Sequence, residues 1–186
     1  EGPEQLPEMA ERPMFMQQDG ENSLTGAERG TAYHRAIQLI DFGALNGLEG
    51  RALVDEIRTM LDSFAQKRLM TSVQREAVRP SMLGKFLDGE VGRRLLAAEE
   101  IHREWPFNVM LRTEEALTEE ETGKFAGEEL LVQGTVDCCF IEDGQWVLLD
   151  YKTDRSRDVD ALRQHYQKQL HLYALALERI TGIPVK

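Results

Sequence analysis

The stretch LLVQGTVDCCFIEDGQWVLLDYK, residues 130–152, holds two runs of strand-forming residues around the dipeptide Asp143-Gly144. Leu130 to Ile141 is the first run and Gln145 to Lys152 the second. Asp-Gly suits a two-residue turn in which both central residues take positive φ, so the spacing predicts a β-hairpin. With that turn, Asp137 falls directly opposite Asp150, their Cβ atoms roughly 5 Å apart. Lys152 shares a face with Asp150, because side chains alternate along a strand.

Two carboxylates at that separation repel each other. Among Val136, Phe140, Val147 and Leu149 they are costly without a positive charge between them. A divalent cation is the strongest such charge and Lys152 a weaker one. Oxygen ligands with water completing the shell suit Mg²⁺ or Mn²⁺ rather than zinc. The competing reading is a plain acid–lysine cluster on an exposed hairpin face, a common surface arrangement.

Upstream of the hairpin, residues 1–24 lack periodicity and carry Pro3, Pro7 and Pro13, which marks an irregular extension ahead of a domain spanning 25–186. Thr25 can cap a helix running to about Phe42, with Glu28 as its capping-box partner. Gly30, His34, Ile37 and Asp41 form one stripe of that helix. Gly43, Asn46, Gly47 and Gly50 interrupt the chain. Residues 51–98 then read as a helical insertion. Arg51 to Leu69 carries Leu53, Ile57, Leu61 and Phe64 at helical spacing. A short helix over Val73 to Val78 ends at Pro80, and one or two more fill Ser81 to Ala98. Glu100 to Arg112 alternates through Trp105, Phe107, Val109 and Leu111, the pattern of a strand. Glu114 to Glu129 is a solvated acidic loop. Asp158 to Thr181 is a long amphipathic helix ended by Gly182 and Pro184.

The composition of the 186 residues, 41% hydrophobic and 30% charged, is that of a soluble globular domain with a real core. No apolar run is long enough to span a membrane. Cys138 and Cys139 are neighbours on a strand, face opposite ways, and fit small core residues of a reducing cytoplasm better than a disulfide. There is no P-loop, zinc or nucleophile-elbow pattern. The net charge of −11 runs against tight DNA binding by this chain alone, since phosphate contacts need Lys and Arg. Concentration of the acids in 114–129, neutralisation by a metal, and delivery of a strand from elsewhere in a complex each soften that objection.

Asp137 followed by Asp150-x-Lys152 across a short turn resembles the PD-(D/E)XK nuclease signature. Gly30-Thr31-Ala32-Tyr33-His34 resembles the G-x-x-x-H element on the first helix of RecB-like nucleases. Arg103-Glu104-Trp105-Pro106-Phe107 resembles their strand before the hairpin. Gly134-Thr135-Val136-Asp137 and Asp150-Tyr151-Lys152-Thr153-Asp154 resemble the next two motifs. Gln169-Leu170-His171-Leu172-Tyr173 resembles the Q-x-x-x-Y helix. Order and spacing are closest to the C-terminal nuclease domain of AddA-type subunits of bacterial helicase–nucleases, over Gly26 to the last residue.

The resemblance implies an α/β fold, the restriction-endonuclease-like α/β/α core with a mixed sheet flanked by helices. A further core strand would begin at Val185-Lys186, so part of the sheet is expected to be missing. It implies metal ligation by His34, Asp137, Asp150 and the Tyr151 carbonyl, with Lys152 assisting attack on a phosphodiester. Gln169 and Tyr173 would position Lys152, a water or a phosphate. Glu104 is a direct or outer ligand, or equally a strand-edge charge. Arg155, Arg157, Arg163 and Lys168 are candidate phosphate contacts or a solvated helix face. With two cysteines the chain cannot supply the Cys₄ iron–sulfur site of some relatives. The implied activity is that of a Mg²⁺- or Mn²⁺-dependent DNA exonuclease in a cytoplasmic helicase–nuclease. Such an enzyme trims single-strand ends at double-strand breaks for homologous recombination. ATP would be bound only in a helicase region of the same polypeptide, and a second subunit would complete the complex. The competing functions are a non-catalytic module of the same fold binding a DNA end or a partner subunit, and a stand-alone phage or defence nuclease.

Overall fold

The computed structural model describes residues 24–117, 122–123, 125–151 and 159–186, with 159–165 as backbone alone. Its helices are α1 (Gly26–Leu39), α2 (Phe42–Leu45), α3 (Gly50–Gln66), α4 (Ser72–Ala77), α5 (Pro80–Leu87), α6 (Glu90–Ala97), α7 (Thr113–Ala116) and α8 (Val159–Thr181). Its strands are β1 (Ile101–Arg112), β2 (Glu129–Glu142) and β3 (Gln145–Leu149).

Local chemistry sets the helix ends. The Thr25 hydroxyl accepts from the Glu28 amide and the Glu28 carboxylate accepts from Thr25, the expected capping box. α1 stops at Leu39 rather than Phe42. Ile40 turns extended, and the Asp41 carboxylate then caps Ala44, opening the short α2 where only a break was expected. Pro80 does not simply end α4 but occupies the start of α5, where its missing N–H costs nothing.

The three strands form an antiparallel sheet in the order β1-β2-β3. The hairpin has the predicted register: Cys138 pairs with Leu149 and Glu142 with Gln145. Asp143 and Gly144 both take positive φ, 52° and 75°, as the turn requires. The mixed character expected of the sheet is confined, among the described residues, to one parallel bridge between Trp146 and Val185. There the Trp146 amide donates to Pro184 and the Lys186 amide to Trp146.

Each face of the sheet carries a core. On one side Cys138, Phe140 and Val147 pack with Ala32, Ala36 and Ile37 of α1, Leu53, Ile57 and Leu61 of α3, and Leu83, Leu87 and Leu95 of α5 and α6. The helices of 51–98 thus share a core with α1 and the hairpin. On the other side Phe107, Val109, Leu111, Val136, Cys139 and Trp146 pack with Ala176 and Leu177 of α8. Cys138 and Cys139 are free, buried and turned to opposite faces, as adjacent strand residues must be.

The pleat changes phase at one point. Residues two apart on a strand normally share a face. Yet Val136 packs on the α8 side and Cys138 on the α1 side. On β1, Trp105 packs on the α8 side while the Arg103 guanidinium lies over Phe42 of α2. Between them Glu104 has φ 49°, a left-handed conformation uncommon for a residue with a side chain. The β1–β2 register is the same before and after, Arg103 opposite Cys138 and Trp105 opposite Val136, so the twist adds no residue. It swaps the faces of the ribbon at Glu104 and Asp137.

An ion-pair cluster closes the hairpin end. Arg94 of α6 donates two hydrogen bonds to Glu142, at 2.8 and 2.7 Å, and the Lys186 ammonium meets the same carboxylate. These partners hold the Glu142 carboxyl down at about 2. Because the folded pKa lies below the ordinary value, the pairing stabilises the fold above about pH 4.5 and is lost as pH falls toward 2. Glu142→Gln is therefore expected to show a shallower loss of stability across that window, read from urea unfolding at stepped pH.

Candidate active site

His34 comes from the middle of α1, four residues after the buried Gly30. Its Nε2 lies 2.9 Å from the Tyr151 carbonyl oxygen. A carbonyl only accepts, so the proton sits on Nε2 and, in the neutral ring, the Nδ1 lone pair is free for a ligand. Nδ1 faces two carboxylates, Asp137 Oδ2 at 3.7 Å and Glu104 Oε1 at 3.8 Å. Asp137 Oδ2 in turn accepts from the Tyr151 amide at 2.8 Å. Tyr151 thus grips both residues through its main chain. Its ring stands edge-on to His34 at 5.9 Å and to Phe86 of α5 at 5.8 Å, anchoring the grip in the helical core.

Asp137 is the most enclosed of the three, its side chain 14% exposed against 29% for His34 and 34% for Glu104. Its carboxyl is held above the ordinary carboxylate range. Burial is the main cause, and the charges of Asp150 and Glu104 add to it. The Tyr151 amide and His34 pull the other way but do not win. A carboxylate that burial and two neighbouring acids disfavour is relieved by a cation. One donor atom from each of His34, Glu104 and Asp137 lies within 4.8 Å of the others, so the three could hold a metal ion. Two hard oxygen donors and one imidazole form a set that Mg²⁺ or Mn²⁺ accepts.

The profile of the PD-(D/E)XK nuclease superfamily matches residues 9–185. The chain belongs to this superfamily. It is similar to an ATP-dependent helicase/nuclease subunit of Acetivibrio thermocellus, 36% identical over 186 residues that cover 99% of this chain and 14% of that protein. It is 37% identical to the ATP-dependent helicase/nuclease subunit of Geobacillus kaustophilus, covering 94% of this chain and 14% of the relative. For the corresponding protein of Bacillus licheniformis the figures are 36%, 99% and 15%. The chain therefore spans about a seventh of the length of these relatives.

The remaining residues of the nuclease signature fall as follows. Asp150 lies directly after β3. The strand expected to run to Lys152 ends at Leu149, because the Tyr151 amide goes to the Asp137 side chain rather than into the ladder. Asp150 is still close enough for its charge to act on Asp137. Lys152 falls outside the described residues, as do Thr153, Asp154, Arg155 and Arg157 and the side chain of Arg163. Lys168 is exposed on α8. The Tyr151 carbonyl, expected to face a metal, is engaged by His34. Gln169 donates to the Tyr173 hydroxyl at 2.8 Å, as their four-residue spacing on α8 allows.

The Tyr173 ring meets Phe107 edge-on at 5.2 Å, and both rings press on Gly134. A Cβ at Gly134 would lie 2.8 Å from the Phe107 ring and 3.1 Å from that of Tyr173. This close approach explains a glycine three residues before Asp137. Gly134→Ala is expected to cost about 1–3 kcal/mol by overpacking and to break the Gln169–Tyr173 geometry. Thermal unfolding and the near-ultraviolet spectrum of the tyrosines would show both effects.

Sequence reasoning singles out Glu104 without choosing between ligand and edge charge. The left-handed turn of its backbone brings it to His34 and Asp137. The one trace in the sequence is an acid at an even position in a strand whose buried apolar residues Phe107, Val109 and Leu111 are odd-numbered. The Tyr151 grip leaves no trace at all, since a main-chain contact carries no residue signature.

Proposed function

We propose that this domain hydrolyses DNA phosphodiester bonds with a divalent cation, Mg²⁺ or Mn²⁺, held by His34, Glu104, Asp137 and Asp150. The observation that carries the reading is the convergence of His34, Glu104 and Asp137, from α1, β1 and β2, on one small volume. The bound cation supplies charge neutralisation at the scissile phosphate and lowers the pKa of the attacking water. His34 offers Nδ1 in a fixed tautomer, because Tyr151 takes the other nitrogen. Asp137 is aimed by the Tyr151 amide. Lys152 supplies a cation for the negative charge that grows in the transition state. Gln169 and Tyr173 orient that lysine, a water or a phosphate oxygen.

The relatives are ATP-dependent helicase/nuclease subunits, which supports a helicase region beside this domain, and the motif resemblance extends that to a larger setting. In it the domain is an exonuclease attached to an ATP-driven helicase region and paired with a second subunit, in the cytoplasm. It trims single strands at double-strand breaks ahead of homologous recombination. No helix among the described residues is long and apolar enough to cross a membrane. The acidic net charge of −11 fits a domain to which DNA is delivered rather than one that captures it.

The test is cleavage of an end-labelled single strand by the wild-type protein and Asp150→Ala, with Mn²⁺ or with chelator. Cleavage that needs Mn²⁺ and vanishes in Asp150→Ala is expected. Cleavage that survives chelation contradicts the metal-dependent reading. Metal binding without any cleavage would instead support a non-catalytic module holding DNA ends.

A further inference from the structure

The αL turn at Glu104 sends its neighbour Arg103 to the opposite side of the ribbon from Trp105. There the Arg103 guanidinium donates to the carbonyls of Ile37 and Ile40, at 3.1 and 2.5 Å. These lie at the C-terminal end of α1, among the helix carbonyls left without intrahelical partners. The same guanidinium lies 4.9 Å from the centroid of the Phe42 ring. Both bonds leave from Nη1 while the guanidinium carbon lies over the aromatic face, a pairing of hydrogen bonds with stacking in which Lys is a poor substitute for Arg.

The consequence follows from connectivity. His34 precedes Ile37 by less than one turn of α1, and Arg103 is bonded directly to Glu104. The Arg103 contact therefore joins the helix that carries one ligand to the strand residue that carries another. Tyr151 makes the second such tie, from the hairpin to His34 and Asp137. Packing of Ala32, Ala36 and Ile37 holds the body of α1 against the hairpin, and the Arg103 bonds add a direct polar tie from the end of that helix to the residue next to Glu104.

We propose that Arg103 is a positioning residue for the metal site, setting the spacing between His34 and Glu104 by clamping the end of α1 to β1. This rests on the reading that His34, Glu104 and Asp137 hold a divalent cation. A purely structural arginine would affect stability and leave the metal affinity of the folded protein unchanged.

The test is Mn²⁺ binding by isothermal titration, well below the melting temperature, beside the melting temperature without metal. Arg103→Met keeps the apolar stem but loses the fork, and is expected to bind Mn²⁺ about tenfold or more weaker, within the range known for lost supporting contacts. Arg103→Lys can reach a carbonyl without the stacking, and is expected to fall between Arg103→Met and wild type. It carries the test if Arg103→Met does not fold. Wild-type Mn²⁺ affinity in a folded Arg103 variant, with only the melting temperature lowered, overturns the inference and leaves the metal reading standing. Absence of Mn²⁺ binding in the wild-type protein overturns the metal reading itself, and this inference with it.

Discussion

Asp137→Asn is expected to lower DNA cleavage by on the order of 10³-fold or more, the scale seen when one group stabilising transition-state charge is removed, while leaving the metal-free fold intact. The amide keeps the shape of the carboxylate, and its oxygen can still accept from the Tyr151 amide, now at 2.8 Å. What it loses is charge, and with it the most enclosed oxygen donor of the cluster. The stability side follows from the raised carboxyl of Asp137. A folded pKa above the ordinary value means that the ionised form is disfavoured by folding, so at neutral pH the charge works against the metal-free protein. The neutral variant is therefore expected to melt no lower than wild type without metal. Adding Mn²⁺ should raise the melting temperature of wild type, because a ligand that binds only the folded state stabilises it, and should leave the variant where it was. A variant that cuts within tenfold of wild type, or collapses without metal, contradicts this role for Asp137.

Gly92→Ala is expected to destabilise the protein by about 3 kcal/mol or more, at or above the upper end of ordinary overpacking, although Ala is the better helix former by about 1 kcal/mol. Gly92 sits in the first turn of α6, against the end of α5. A Cβ there would lie 2.2 Å from the Phe86 carbonyl oxygen and 2.4 Å from the Leu87 Cα. Both are main-chain atoms, which cannot rotate away as a side chain can. The α5–α6 junction must open, and Phe86 must leave the Tyr151 ring that it meets edge-on. The variant is thus expected to lose Mn²⁺ affinity as well as stability, through the loosened Tyr151 grip. Gly26→Ala, where a Cβ meets nothing within 4 Å, is the control and should stay near wild type. Urea unfolding of the two variants measures the contrast, and equal midpoints would contradict the packing argument.

Much of the fold is legible in the sequence because its determinants are local. Asp143-Gly144 dictates the turn, the turn dictates the register, and Asp137 and Asp150 follow by counting. Thr25 and Glu28 announce α1 in the same way. Elements whose bounds depend on competition are less legible. Asp41 leaves α1 to cap α2, and Pro80 starts a helix as well as following the end of one. The second strand of the hairpin is shorter than Gln145 to Lys152, since strand propensity cannot foresee that a side chain will claim the Tyr151 amide. In the site, His34 and Asp137 are legible from motif and hairpin. Their meeting with Glu104 depends on a left-handed residue with no glycine to mark it and on an arginine that reaches another element. Both are tertiary facts with no periodicity to betray them.

Where the cation binds decides the rest. Anomalous X-ray scattering from crystals of the protein soaked in Mn²⁺ would place it directly. The expected result is a peak within coordination distance of His34 Nδ1 and of the Asp137 and Glu104 carboxylates, absent in Asp137→Asn. A peak that lies elsewhere, or one that survives the loss of Asp137, would contradict a metal centre built on these three residues.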